Sequence, residues 1–196
     1  LVQCGFAGTY GNAMRIKANT SGHNPSNHFF AQCVFDGTKQ GHAVHITGGG
    51  NVLLFQMTGC WIASAGKATG GTASACGVNI DLGGGVVSSR IVGSTFYNTA
   101  GNGLRCTAAS GANLNVNANS FDSCGGGGVA GYRAAIYVSA PTGYMAPTLS
   151  ANIEVASGLY SIETSPTTNK IRISDNLLMT ATNYGTAPAV DHDNGF

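Results

Sequence analysis

The sequence predicts an all-β protein and, within that class, a parallel β-helix: a solenoid of about seven coils, each holding three short strands. Three observations carry the prediction. Of 196 residues, 30 are glycine and only 9% are charged, against 43% hydrophobic, a make-up rich in turn formers and poor in helix formers. Short blocks recur along the chain with an aromatic residue at a fixed place. Between these blocks, apolar and polar residues alternate with a period of two, the pattern of a strand with one buried face.

The same composition excludes several classes. A net charge of +1 beside 43% hydrophobic residues is not that of a disordered chain, and no basic field marks a nucleic-acid binder. No stretch of about eighteen apolar residues offers a membrane-spanning helix. The glycines lack the strict period of three that collagen needs.

Cys4-Gly5-Phe6-Ala7-Gly8-Thr9 matches Cys33-Val34-Phe35-Asp36-Gly37-Thr38, and Gly11-Asn12-Ala13-Met14-Arg15-Ile16 matches Gly41-His42-Ala43-Val44-His45-Ile46. Ser94-Thr95-Phe96 and Asn119-Ser120-Phe121 repeat the first block; Gly77-Val78-Asn79-Ile80, Gly103-Leu104-Arg105-Cys106 and, less regularly, Gly158 to Ile162 repeat the second. A third element stands five positions before each aromatic: Leu1, Phe30, Ile91, Val116 and Ile173. The anchors are Phe6, Phe35, Trp61 or Cys60, Phe96, Phe121 and roughly Ile153.

Three strands per repeat with no helix between them cannot make βαβ units. Stacked coils solve the geometry, because each strand then pairs in parallel with its equivalent about 4.8 Å along the axis. A β-sandwich is the alternative, but whole three-strand repeats are not expected in one. Two positions before the anchors stand Cys4, Cys33, Ser94, Asn119 and Asn176, a predicted inward ladder of small polar side chains bonded along the stack. Cys106 falls in the slot of Ile16, Ile46 and Ile80, so the cysteines read as small, reduced core residues; a secreted disulfide framework is the alternative. The glycine runs read as turns, since no Gly-Lys-Ser/Thr follows them.

Leu1 already occupies a strand slot, so the β-helix of residues 1–178 is expected to begin in mid-coil, its N-terminal part missing. Residues 179–196 lose the pattern and read as a C-terminal cap or docking tail.

These blocks, with the Asn/Ser/Thr/Gly composition, resemble the pectate-lyase superfamily and, within it, bacteriophage tailspikes and tail fibres. The resemblance covers roughly residues 1–178. It implies a right-handed, single-stranded β-helix, assembled as a homotrimer on the virion with other tail proteins, that binds and in many members cleaves bacterial surface polysaccharide. The alternatives are a free, secreted β-helical polysaccharide lyase or glycoside hydrolase, and a purely structural spike segment. Neither a cofactor nor a metal is expected: Asp191-His192-Asp193 reads as an acidic tail, and the histidines show no zinc spacing.

Eight carboxylates exist, and they sort by slot. Asp36 and Asp122 follow the anchor and point outward, with Trp61 or Ile62, then Tyr97, in the coils between. At three coils, or about 14 Å, the two lie beyond the roughly 5 to 9.5 Å of glycosidase pairs. Two outward rows flank the inward Ile slot: Lys17, Thr47, Asp81, Thr107, Tyr137 and Glu163, and beside them Arg15, His45, Asn79, Arg105 and Ser161. Such a face suits sugar recognition, with polar groups for hydroxyls and aromatic rings for the apolar side of a pyranose. The predicted glycan-binding residues are Trp61, Tyr97, Arg105, His45, Tyr137 and Asn79. Asp81 leads the candidate acids and bases, with Asp122 and Glu163 behind it. The insertions between Trp61 and Gly77 and from Pro141 to Pro147, which carries Tyr144 and Met145, are loops able to hold ligand contacts.

Overall fold

The computed structural model describes residues 1–19, 24–139, 148–165, 171–179 and 190–193. Every described strand pairs in parallel, in three sheets, and among the described residues there is no helix. The chain visits the three sheets in rotation, so each strand lies beside its equivalent one circuit away: a parallel, solenoid-like all-β fold.

The anchor sheet has seven strands: Gly5–Ala7, Val34–Asp36, Trp61–Ala63, Thr95–Tyr97, Ser120–Asp122, Ile153–Val155 and Leu177–Leu178. The polar sheet has six: Met14–Ala18, Val44–Gly48, Val78–Leu82, Leu104–Ala108, Ala134–Ser139 and Tyr160–Thr164. The leading sheet runs through Phe29–Ala31, Gln56–Thr58, Val86–Val92, Ala112–Asn117, Thr148–Ser150, Ile171–Ser174 and Val190–Asp193, with Val52–Leu53 beside Val86. Residues 190–193, expected to fall outside the repeat, thus add a strand to this sheet.

Register aligns the predicted slots. Phe6, Phe35, Ile62, Phe96, Phe121, Glu154 and Leu178 are successive partners. Two of these correct the expected anchors. Ile62, not Trp61 or Cys60, fills the third position, and Glu154, not Ile153, the sixth, because a shift of one residue reverses which side chains face inward. Ala63 rather than Trp61 or Ile62 therefore sits between Asp36 and Tyr97. The aromatic anchors stack face to face, Phe6 on Phe35 at 5.1 Å and Phe96 on Phe121 at 4.6 Å.

Glu154 is 1% exposed in this apolar column. Its Oε1 accepts the Ser157 N–H at 2.7 Å, and its Oε2 accepts the Ser161 hydroxyl at 2.6 Å and the Met179 N–H at 3.1 Å. A buried carboxyl group is tolerated only when hydrogen-bonded in this way.

The inward ladder forms and is longer than expected, with Cys60 and Asn152 in it. Asn119 Oδ1 accepts the Ser94 N–H, Asn152 Oδ1 the Asn119 N–H, and Asn176 Oδ1 the Asn152 N–H, at 2.9 to 3.1 Å. Left-handed corners bracket the first six anchor strands: Gln3, Gln32, Gly59, Gly93, Ala118 and Ala151 on one side, Gly8, Gly37, Ser64, Asn98, Ser123 and Ala156 on the other; Asp175 precedes the seventh. Glycine holds only some of these corners. Elsewhere glycine is required by contact: a Cβ on Gly103 would lie 2.7 Å from the Phe121 ring and 3.0 Å from Cys124 Sγ. All six cysteines are free, and burial pushes the Cys76 and Cys106 thiols up to about 12 and that of Cys124 to about 11.

Candidate functional site

Alternation along the polar sheet sends every second side chain outward, and parallel in-register pairing lines these up into rows. The row through Arg105 is Arg15, His45, Asn79, Arg105, Tyr137 and Glu163; the row through Asp81 is Lys17, Thr47, Asp81, Thr107 and Ser139. Tyr137 and Glu163 thus stand in the Arg105 row rather than the Asp81 row. Ser161, expected beside Arg105, points inward, is fully buried and donates to Glu154. The cause is register: Ile136 pairs with Ile162, which aligns Ile162 with Leu104 and not with the residues that Gly158 suggested.

Arg105 is the centre of this face. Its guanidinium carbon lies 4.7 Å from the centroid of the Tyr132 ring and 5.2 Å from that of Tyr137, a cation–π clamp on a flat, planar group. Nη1 reaches Thr107 Oγ1 at 3.3 Å and Asn79 Oδ1 at 3.4 Å. The Thr107 hydroxyl donates to Asp81 Oδ1 at 2.8 Å, so Asp81 is held by a hydroxyl, and Arg105 is held by two rings, one amide oxygen and that same hydroxyl. On the far side, the Asn79 amide is 3.1 Å from His42 Nε2, and His42 Nδ1 accepts the Cys76 N–H at 2.9 Å. His45 crosses His42 at 4.7 Å between ring centroids.

Both imidazoles are held below the usual histidine range. The pKa of His42 is lowered to about 4 by burial, then by the positive character of His45 and Arg105, with Asp81 opposing. That of His45 is lowered by burial and by Arg15, again against Asp81. Burial raises the pKa of Glu163, and Arg133, whose Nε is 3.8 Å from Oε1, works against that rise. Arg133 also lies over Tyr160, at 5.1 Å.

The predicted site residues divide between two sheets. His45, Asn79, Arg105 and Tyr137 come together on the polar sheet. Trp61 and Tyr97 come together on the anchor sheet, ring centroids 5.8 Å apart and each about 40% exposed. The three candidate catalytic carboxylates are not gathered. Asp81 and Glu163 share a sheet but are three strands apart, about 14 Å at the strand spacing. Asp122 is on the anchor sheet, accepting the neighbouring Ser123 hydroxyl at 2.7 Å. Among the described residues no three His, Cys, Asp or Glu side chains are placed to hold a metal ion; of Asp191 to Asp193 only the backbone is described. The Pro141–Pro147 loop lies outside the described residues.

Sequence reasoning missed Tyr132 and Arg133, which follow the glycine run and return to the sheet out of period. It also passed over His42, two residues before a strand. The repeated Gly-x-Ala block that His42 shares with Asn12 was the available signal, since Asn12 Oδ1 accepts the His42 N–H at 2.8 Å.

Compared with protein-family models, with curated proteins and with solved structures, the chain matches none of them.

Proposed function

We propose that the protein binds polysaccharide along the outer face of its polar sheet, as a segment of a phage tailspike or tail fibre that engages a bacterial surface glycan. The observation that carries this reading is the clamp of Tyr132 and Tyr137 about Arg105, continued by Asn79, Thr107 and Asp81. It offers stacking rings, donors and an acceptor in rows that repeat at the strand spacing, the chemistry by which a chain of hydroxylated rings is held. Trp61 and Tyr97 supply a second aromatic platform on the neighbouring sheet. The right hand and the homotrimer follow from the resemblance to tailspikes, and the count of about seven coils from the repeat in the sequence. Exposed Val34, Ile153, Val155 and Leu177 on the anchor sheet give apolar surface that association would cover.

Binding is favoured over cleavage because Asp81, Asp122 and Glu163 stand apart. The test is a panel of bacterial capsular and lipopolysaccharide glycans presented to the purified chain, with mass in solution measured alongside. At least one glycan is expected to bind, and Tyr137→Ala to weaken it tenfold or more. Release of reducing ends that Asp81→Asn abolishes would instead make the protein a depolymerase. A folded protein with no glycan partner would leave the structural-segment reading.

A further inference from the structure

The corner formed by Arg105, Asn79 and His42 has more hydrogen-bond donors than the protein supplies acceptors. A backbone N–H only donates, so the bond from Cys76 to His42 Nδ1 places the proton of the neutral ring on Nε2. That N–H faces the Asn79 amide at 3.1 Å, and on its other side the same amide faces Arg105 Nη1 at 3.4 Å. Asn79 is 3% exposed and has one oxygen. Turned to Arg105, it sets its NH2 against the His42 N–H; turned to His42, it sets the NH2 against the guanidinium. In either orientation two donors meet.

Arg105 shows the same shortage from its own side. Its Nε is buried with no hydrogen-bond partner, and its Nη1 contacts are long, at 3.3 and 3.4 Å. Asp81 takes the Thr107 hydroxyl, and Glu163 is paired with Arg133. Among the described residues no carboxylate lies within ion-pair distance of Arg105. Arg15 and Lys17, on the same two rows, add positive charge to the face. A guanidinium fixed between two rings, deprived of its own counter-ion and short of acceptors, is built for a planar or tetrahedral oxyanion.

We infer that this corner takes an anionic oxygen group carried by the glycan, a carboxylate, sulfate ester or phosphate ester, whose oxygens accept from Arg105 and free the Asn79 oxygen to turn to His42. The inference rests on the glycan-binding reading and adds the class of sugar and the part that moves. The neutral state of His42 at pH 7 is consistent with it.

The test is nuclear magnetic resonance of the 15N-labelled chain at pH 7, reading the Arg105 Nε–H, the Asn79 side-chain amide and the His42 Nε2–H. The probes are methyl glucuronide, glucose 6-sulfate, glucose 6-phosphate, methyl glucoside and inorganic sulfate. The expected result is that at least one charged sugar shifts all three signals saturably, at least tenfold more tightly than methyl glucoside. Arg105→Gln, with its dispersed spectrum retained, should erase that preference, and Arg105→Lys should keep only part of it. Equal binding of methyl glucoside and the charged sugars would overturn the inference and leave the glycan reading standing. Inorganic sulfate binding as tightly as any charged sugar would keep the oxyanion site and remove the glycan. No shift with any probe would overturn both.

Discussion

The two ends of the inner ladder fill one slot in two ways. At one end Cys4, Cys33 and Cys60 donate to main-chain carbonyls over 3.4 to 3.6 Å. At the other, Asn119, Asn152 and Asn176 donate to the carbonyls of Ile91, Val116 and Leu149 at 2.9 to 3.0 Å. The Asn119 and Asn152 amides also donate to the next rung's Oδ1, at 3.1 and 2.9 Å. A thiol is a weak donor and a poor acceptor, whereas an amide does both jobs at once. The backbone corner therefore sets where the rung stands, and the side chain sets how firmly one coil is tied to the next. Ser94 joins the halves, accepting the Cys60 N–H and donating to the Val92 carbonyl.

Asn152→Ala breaks the comparison at its strongest point. It strands the Asn119 N–H and the Val116 carbonyl in the core, and an expected loss of about 3 to 5 kcal/mol would show in urea unfolding as a lower midpoint at unchanged slope. A loss below about 1 kcal/mol would mean that packing alone holds the coils together.

Asparagine rungs do not titrate, whereas the polar sheet carries two histidines whose pKa is lowered. His42 takes its proton near pH 4 when folded, against 6.5 when free. As the pH falls through that window the unfolded chain binds the proton first, so stability present above pH 6.5 is lost by pH 4, by about 2 to 3 kcal/mol. Glu163, with a raised pKa, takes its proton earlier in the folded chain and so acts in the opposite sense. Thermal melts of His42→Gln should show a flatter pH profile than wild type between pH 6.5 and 4.

Cys33→Ala should cost only about 1 kcal/mol, chiefly the small void left by sulfur, and calorimetry of this variant against Asn152→Ala measures the contrast directly. The smallest effect is at the corners. Ala118 and Ala151 are exposed, carry φ of 53° and 52°, and lead into asparagine rungs. Ala118→Gly relieves the left-handed strain but frees the unfolded chain, and should move stability by no more than about 1 kcal/mol, toward greater stability. Chemical denaturation showing a clear loss would mean that the alanine methyl contributes packing.

Much of the fold was legible in the chain. Recurring Cys/Ser/Asn-x-Phe blocks located the ladder and the aromatic stack, and period-two alternation separated inward Ile16, Ile46, Ile80 and Cys106 from outward Arg15, His45, Asn79 and Arg105. Where a coil departs from the repeat, legibility ended. Trp61 looks like an anchor because it is aromatic, yet Ile62 is the buried one; Glu154 looks like a surface residue because it is polar, yet it is buried between Phe121 and Leu178. One-residue uncertainty in register is enough to exchange inside for outside.

The sequence by itself determined the all-β class, the three-strand repeat, the inner polar rung and the polar outward rows, because these depend on local periodicity and on residue types recurring at fixed places. Tertiary structure alone decided which residues meet. Tyr132 reaches Arg105 from a loop with no periodic signal, His42 shares an amide with it across the sheet, and the predicted aromatic residues, like the predicted carboxylates, are divided between two sheets. Those contacts depend on how many residues each turn inserts before pairing resumes, which hydrogen bonding between coils settles and a period in the chain does not.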